Sequence, residues 1–157
     1  MDFSRASRRA SHEPLWHDRE VAWEHFAHGA DVGIRGAGAT LSEAFAEAAL
    51  ALTAAICDVG TVRPTSPVAI ACQAPAVDLL FVDWINALVY EMATRRMLFS
   101  VFEVEIDGTS LRAVARGEPV DRARHEPAVE VKGATHTALR VAREPDGHWI
   151  AQCVIDV

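Results

Sequence analysis

Apolar residues recur along this chain with two different periods, and the changes of period divide it into elements. Across residues 41–56, Leu41, Phe45, Ala48, Ala49, Leu52 and Ile56 fall at helical spacing on one face. Thr40-Leu41-Ser42-Glu43 stands before them as a capping box, the threonine oxygen accepting a helix amide while the glutamate reaches back. Asp58, Gly60 and Pro64 close the run. A second helix is predicted over residues 76–94, with Leu80, Trp84, Leu88 and Met92 along one stripe. Leu79, Ile85 and Val89 widen that stripe, as burial against a sheet requires.

The remaining segments carry strand signals. Two short strands, at 23–26 and 31–34, are joined or interrupted at His28-Gly29, and Gly33, Gly36 and Gly38 lead into the first helix. Residues 67–73 form a strand bounded by prolines. After Met97 the pattern alternates: 98–106 and 110–116 flank the hairpin turn Asp107-Gly108-Thr109. One or two strands over 128–142 break at Gly133, and Pro145-Asp146-Gly147 turns into a last strand at 148–154. Two main helices and about seven strands predict one α+β domain over 21–157, its helices packed on a largely antiparallel β-sheet. Residues 1–20, polar, mixed in charge and unpatterned, are expected to be a flexible tail.

Composition adds exclusions. A chain of 157 residues is about one domain, and 50% apolar with 24% charged is globular composition. A net charge of −7 leaves no overall basic footprint for nucleic acid. Cys57, Cys72 and Cys153 are odd in number and lack CxxC spacing, which argues against a disulfide framework or a cysteine zinc site. No apolar run is long enough to span a membrane, and 1–20 hold no secretory h-region. A cytoplasmic protein is the expectation. Residues 21–94 hold eight acidic and two basic groups, a surface suited to a cation or a basic partner. Of the fifteen basic residues only Lys132 is lysine, which suggests a site where a compact ammonium matters.

Several constellations carry possible chemistry. The glycines before the first helix do not complete GxGxxG, because Leu41 occupies the third position, so a tight turn is favoured over phosphate binding. His25 and His28 have HxxH spacing, but on a strand and turn they point to opposite faces. Asp31 opens an apolar strand and Asp156 closes another; converging at strand ends, with the carboxylate of Val157, they suit a hard cation such as Mg²⁺, Ca²⁺ or Mn²⁺. Asp78 is placed to cap the second helix, with Asp83 and Asn86 on its polar side. Glu118, Asp121, His125 and Lys132, with Glu130 nearby, are able to do acid–base work if they meet in a cleft; a solvated loop is the default.

Five blocks together resemble the archease family. His28-Gly29-Ala30-Asp31-Val32 is similar to its opening His-Thr-Ala-Asp-Val/Ile, and the capped helix follows. Leu79-Leu80-Phe81-Val82-Asp83-Trp84-Ile85-Asn86 matches its second helix, and Gly117–Asp121 with His125 its Gly-Glu-x-x-Asp segment. Glu130-Val131-Lys132-Gly133-Ala134-Thr135 and the closing Asp156-Val157 complete the pattern. Glycine stands at position 29 where the family has threonine, and His136-Thr137 where it has Tyr-His.

The resemblance implies an accessory protein, not an enzyme. Archeases assist the RtcB-type RNA ligase of tRNA splicing and RNA repair, promoting guanylylation of the ligase and its multiple turnover. It implies a divalent ion, Ca²⁺ by family resemblance with Mg²⁺ or Mn²⁺ as alternatives, held by Asp31, Asp156 and Val157. Lys132 is implied as a further activation-critical residue; His28, Glu118, Asp121, His125 and Glu130 are weaker candidates. GTP and RNA are expected to engage only through the ligase, with no DNA or membrane partner. Two alternatives stay open, a metal-independent protein-binding or chaperone-like module and a small metal-dependent hydrolase.

Overall fold

The computed structural model describes residues 22–157; the tail expected over 1–20 lies outside the described residues. In chain order the elements are β1 (Ala22–His28), β2 (Asp31–Gly38), α1 (Leu41–Ile56), a 3-10 turn (Val59–Thr61), β3 (Ser66–Gln73) and α2 (Val77–Arg95). There follow β4 (Met97–Asp107), β5 (Ser110–Pro119), the one-turn α3 (Arg122–His125), β6 (Gly133–Ala134), β7 (Arg140–Arg143) and β8 (Trp149–Asp156). The α+β expectation holds, but the strands sort into two antiparallel sheets instead of one. The first has the order β1-β2-β8-β6, with β7 also pairing β8; the second is β3-β5-β4. Segment 128–142 gives two short strands and much irregular chain, because most of its alternation is spent on loops.

Helix α1 lies between the sheets, packing on β1, β2 and β8 of the first and on β4 of the second. Its buried residues therefore surround it, from Ala44 and Phe45 to Ala51, Leu52 and Ile56. Thr40 Oγ1 accepts the Glu43 amide at 3.1 Å, and Glu43 Oε1 reaches back to the Ala39 amide at 3.0 Å. The box thus satisfies two amides at the helix start. Thr53, fully buried, donates its hydroxyl to the Phe99 carbonyl at 2.7 Å, tying α1 to the second sheet. That bond falls where the β4–β5 register slips between Phe99 and Val101.

Helix α2 joins this core through Trp84, whose indole N–H donates to the Phe45 carbonyl at 3.0 Å. Phe45 and Phe81 meet edge-on with ring centroids 5.1 Å apart. Asp78 is not the cap: Ala76 holds that position without a side-chain bond, and Asp78 takes the Leu79 amide instead. The helix ends on Arg96 in the left-handed region, at φ 54°. No helix among the described residues is long and apolar enough to cross a membrane.

The glycines expected to form a turn lie inside β2. A Cβ on Gly36 would stand 2.2 Å from both the Ala44 carbonyl oxygen and the Ala48 nitrogen, so α1 sits directly on the strand there. Gly33 is covered by the ring of Phe26, its partner across β1, with the would-be Cβ 2.3 Å from that ring. The spacing that resembled a phosphate loop is a helix–strand contact. Gly36→Ala is therefore expected to cost about 1–3 kcal/mol, because helix backbone cannot give way as a side chain can. Urea unfolding would read this as a lower midpoint at unchanged slope.

Candidate functional site

The sequence candidates gather at one end of the first sheet. Gly29 takes φ 61° in the two-residue turn joining β1 to β2 and leaves His28 opposite Asp31. First position at positive φ is a glycine position in hairpin turns, so the glycine that replaces the family's threonine has a backbone reason. Pairing of β2 with β8 runs to Val32 and Ile155, which makes Asp31 and Asp156 the next cross-strand neighbours. Asp156 in turn pairs with Gly133 of β6.

Both acids point away from the helices. On that outer face Arg35 Nη1 donates to Glu24 at 2.5 Å and its Nε to Gln152 Oε1 at 2.8 Å, while the guanidinium lies 4.8 Å from the Phe26 ring centre. Asp31 is four residues from Arg35 and Asp156 four from Gln152, so strand alternation puts them on the same side. Opposed Cβ atoms on such strands are about 5 Å apart. The Val157 amide donates to Asp31 Oδ1 at 3.3 Å and orients that carboxylate.

Lys132 joins this end through its backbone, its amide donating to the Asp156 carbonyl at 2.8 Å. Its side chain is exposed and, among the described residues, has no ion-pair partner. Asn86, one turn-side polar group on α2, accepts the Ala134 amide at 2.8 Å and thereby holds β6 in place. Sequence reading placed Asn86 only on a polar face; its signal was a lone amide inside an apolar helix run. His28 shares the outer face with Asp31 by register, whereas His25 Nε2 meets the Ala51 carbonyl at 2.8 Å on the inner face. The two histidines diverge, as expected for this spacing on a strand.

Among the described residues no three His, Cys, Asp or Glu side chains converge as a metal shell. What the tip offers is two carboxylates and neighbouring carbonyls. These oxygens suit a hard cation that completes its coordination with water or with a second protein. Cysteine ligation has no support: burial pushes the Cys57 thiol up to about 11 and Cys153 up to about 12.

Glu118, Asp121 and His125 form a separate cluster, without Lys132. The solvated loop expected there is instead a buried knot. Glu118 Oε2 accepts from the Arg63 amide at 2.8 Å, Arg124 Nη1 at 2.7 Å and His125 Nε2 at 2.9 Å, and Oε1 accepts from Arg124 Nη2 at 2.9 Å. The Asp121 amide donates to His125 Nδ1 at 2.8 Å, which fixes the tautomer with its proton on Nε2. The Asp121 carboxylate caps α3 by accepting from the Ala123 and Arg124 amides. Every acid–base group in the knot is engaged in holding the chain, and Arg124, missed from sequence, is its centre. Its guanidinium also donates to the Thr61 carbonyl at 2.6 Å. Glu130 is exposed and takes no part in the knot.

The Arg124 guanidinium, then the Arg63 amide, hold the Glu118 carboxyl well below the usual carboxylate range. A carboxyl whose pKa falls on folding contributes fully above its unfolded value of about 4.3 and less as pH drops toward the folded one. Glu118→Gln is therefore expected to lower the melting temperature at neutral pH and to flatten its decline in acid. Calorimetry of the two proteins between neutral and acidic pH checks both signs.

Comparison with known proteins bears on the whole domain. The archease protein family (MTH1598/TM1083) matches residues 23–157. A protein archease of Pyrococcus furiosus is 37% identical over 139 residues, covering 86% of this chain and 98% of the relative. That of Methanopyrus kandleri is 37% identical over 141 residues, 87% of this chain and all of the relative. The solution structure of Methanobacterium thermoautotrophicum protein 1598 superposes with a TM-score of 0.76 at 29% identity, over 86% of this chain and 98% of that one. With the fold, the ordered blocks and these relatives in agreement, the chain belongs to the archease family.

Proposed function

We propose that this archease is an accessory factor that activates an RtcB-type RNA ligase in tRNA splicing or RNA repair, promoting guanylylation of the ligase and its multiple turnover. The observation that carries the reading is the pair of half-buried Asp31 and exposed Asp156 at a sheet end, beside a Lys132 without an ion-pair partner among the described residues. A hydrolase using these acids needs a pocket around its substrate; a tool for another protein's active site needs charge accessible at a sheet end.

Asp31 and Asp156, with the backbone oxygen of Val157, are the groups that would hold a hard divalent ion, Ca²⁺ by resemblance or Mg²⁺ or Mn²⁺. Bound there, such an ion supplies positive charge against phosphate oxygens. The chain's own residues do the positioning. The Val157 amide engages one Asp31 oxygen and leaves the other without a hydrogen bond among the described residues. Asn86 and the Lys132 amide fix β6 against β8, so the Lys132 ammonium starts from a rigid backbone. A compact ammonium at that place can neutralise a phosphate oxygen without the planar demands of a guanidinium.

The test is guanylylation and multiple-turnover joining by the cognate ligase with GTP and Mn²⁺, with and without catalytic amounts of this protein. Wild type is expected to accelerate both steps, and Asp31→Asn to lose at least about tenfold of that acceleration, near the cost of one well-placed charge. Lys132→Arg is expected to fall as well, despite keeping its charge. An Asp31→Asn protein that activates fully would remove the acid pair from the mechanism. A wild type without effect on a competent ligase would transfer the role to a metal-independent binding module.

A further inference from the structure

At one end of the second sheet an arginine lies near the end of each of its three strands. Arg63 stands three residues before β3, Arg122 opens α3 three residues after β5, and Arg96 directly precedes β4. Neighbouring strands lie about 4.8 Å apart, so the strand ends that these arginines flank form a row about 10 Å wide. The row is anchored from below: the Arg63 amide donates to Glu118 at 2.8 Å, the Val120 amide to the Arg96 carbonyl at 2.9 Å, and Arg124 ties Glu118 to the Thr61 carbonyl. All three arginines are exposed, and among the described residues their guanidinium groups have no hydrogen-bond or ion-pair partner.

Among the nearby acids Glu118 is buried within the knot and Glu91 pairs with Arg95 at 2.6 Å. Asp121 and Asp58 each turn an oxygen to backbone amides at the start of their own helical turns, and with Glu126 they stay exposed. Arginine in place of lysine reflects this chain's composition, but the position of the charge does not. Three exposed cations at one sheet end, without a partner among the described residues, suit an anionic partner.

The row also faces the same end as the acid pair. Helix α1 returns from the far end of β2, and its last residue, Ile56, accepts the Ala128 amide at 2.8 Å. From there the chain continues to Lys132 beside Asp156. One short segment thus links the arginine row to the tip. We propose that Arg63, Arg96 and Arg122 bind backbone phosphates of single-stranded RNA, so that this protein touches the RNA itself and not only through its ligase. The choice of RNA as the polyanion rests on the ligase-activator reading; the cationic row does not. Guanidinium groups suit phosphate because each offers parallel N–H donors to two oxygens.

The experiment needs neither ligase nor metal. Fluorescence anisotropy of a fluorescein-labelled short oligoribonucleotide is titrated with the full chain in EDTA, over a series of salt concentrations. The variant Arg63→Gln/Arg96→Gln/Arg122→Gln is expected to bind at least about tenfold more weakly at low salt, with a salt slope shallower by about 2, three contacts at about 0.7 each. Its unfolding midpoint shows whether the fold is kept, and the single Arg122→Gln variant, expected to lose about a third of that slope, gives the same test with less perturbation. Arg112→Gln/Arg116→Gln, on the open face of the sheet, is expected to bind as wild type. Asp31→Asn is expected to retain RNA binding even where it abolishes activation, which separates this proposal from the acid-pair mechanism. Absence of RNA binding by wild type, or a triple variant with unchanged affinity and slope, overturns it. If RNA binding is absent and the triple variant loses ligase association, the row is a protein contact and the RNA proposal is equally overturned.

Discussion

The contact of α1 with β2 at Gly36 sets the geometry on which the rest depends. With no side chain at that point, helix backbone rests on strand backbone, and Ala44 and Ala48 fill what space remains. A helix held so close to one sheet can still touch the other, and Thr53 uses that reach to hold β4 through the Phe99 carbonyl. The alanine-rich composition has its structural use here. Large side chains on every face of α1 would have pushed the sheets apart, and the cross-connections from Trp84 and Thr53 would no longer reach.

This arrangement also explains why so many candidate residues share one end. Helix α1 runs antiparallel to β2, so its C-terminus returns toward Asp31; β3 starts nearby, and β5 comes back to the same end. The connection from β5 to β8 must then cross from the second sheet to the first. It does so through α3, the Ile56–Ala128 bond and Lys132. A position at the junction of two sheets is where irregular chain is unavoidable. It is also where polar groups meet without displacing core.

Polar groups at that end have divided into two kinds. In the Glu118 knot, donors and acceptors are matched: the carboxylate receives a guanidinium, an imidazole N–H and a backbone amide, and the imidazole's other nitrogen receives an amide. Such a network is worth most when complete and binds no further ligand. At the tip the opposite holds, with Asp31 engaged through one oxygen and Lys132 unpaired among the described residues. Sequence alone could not separate the two kinds. Glu118 and Asp31 are both acids at strand ends, and only the arrival of Arg124 and Arg63 from distant segments satisfies one of them. Helix limits, by contrast, were readable from Thr40, Glu43 and the apolar stripes, because capping and periodicity are local. The division into two sheets was not, since strand partners are chosen by the path of the chain through space.

The glycines show the same distinction at the level of single residues. Gly29 and Gly108 sit at positive φ in hairpin turns, a local demand that a turn signal reveals. Gly33 and Gly36 have no such conformation; they are glycine because a ring or a helix lies where a Cβ would be. In sequence Gly29, Gly36 and Gly108 look like loop residues, and Gly33 stands at the edge of the same glycine run. A run of glycines before a capped helix is therefore ambiguous between a cradle open to a ligand and a strand closed by its neighbours. What decides is whether the space above the backbone is already filled. Here Phe26 and α1 fill it, so these glycines pack the strand against its neighbours and leave no cradle for an anion.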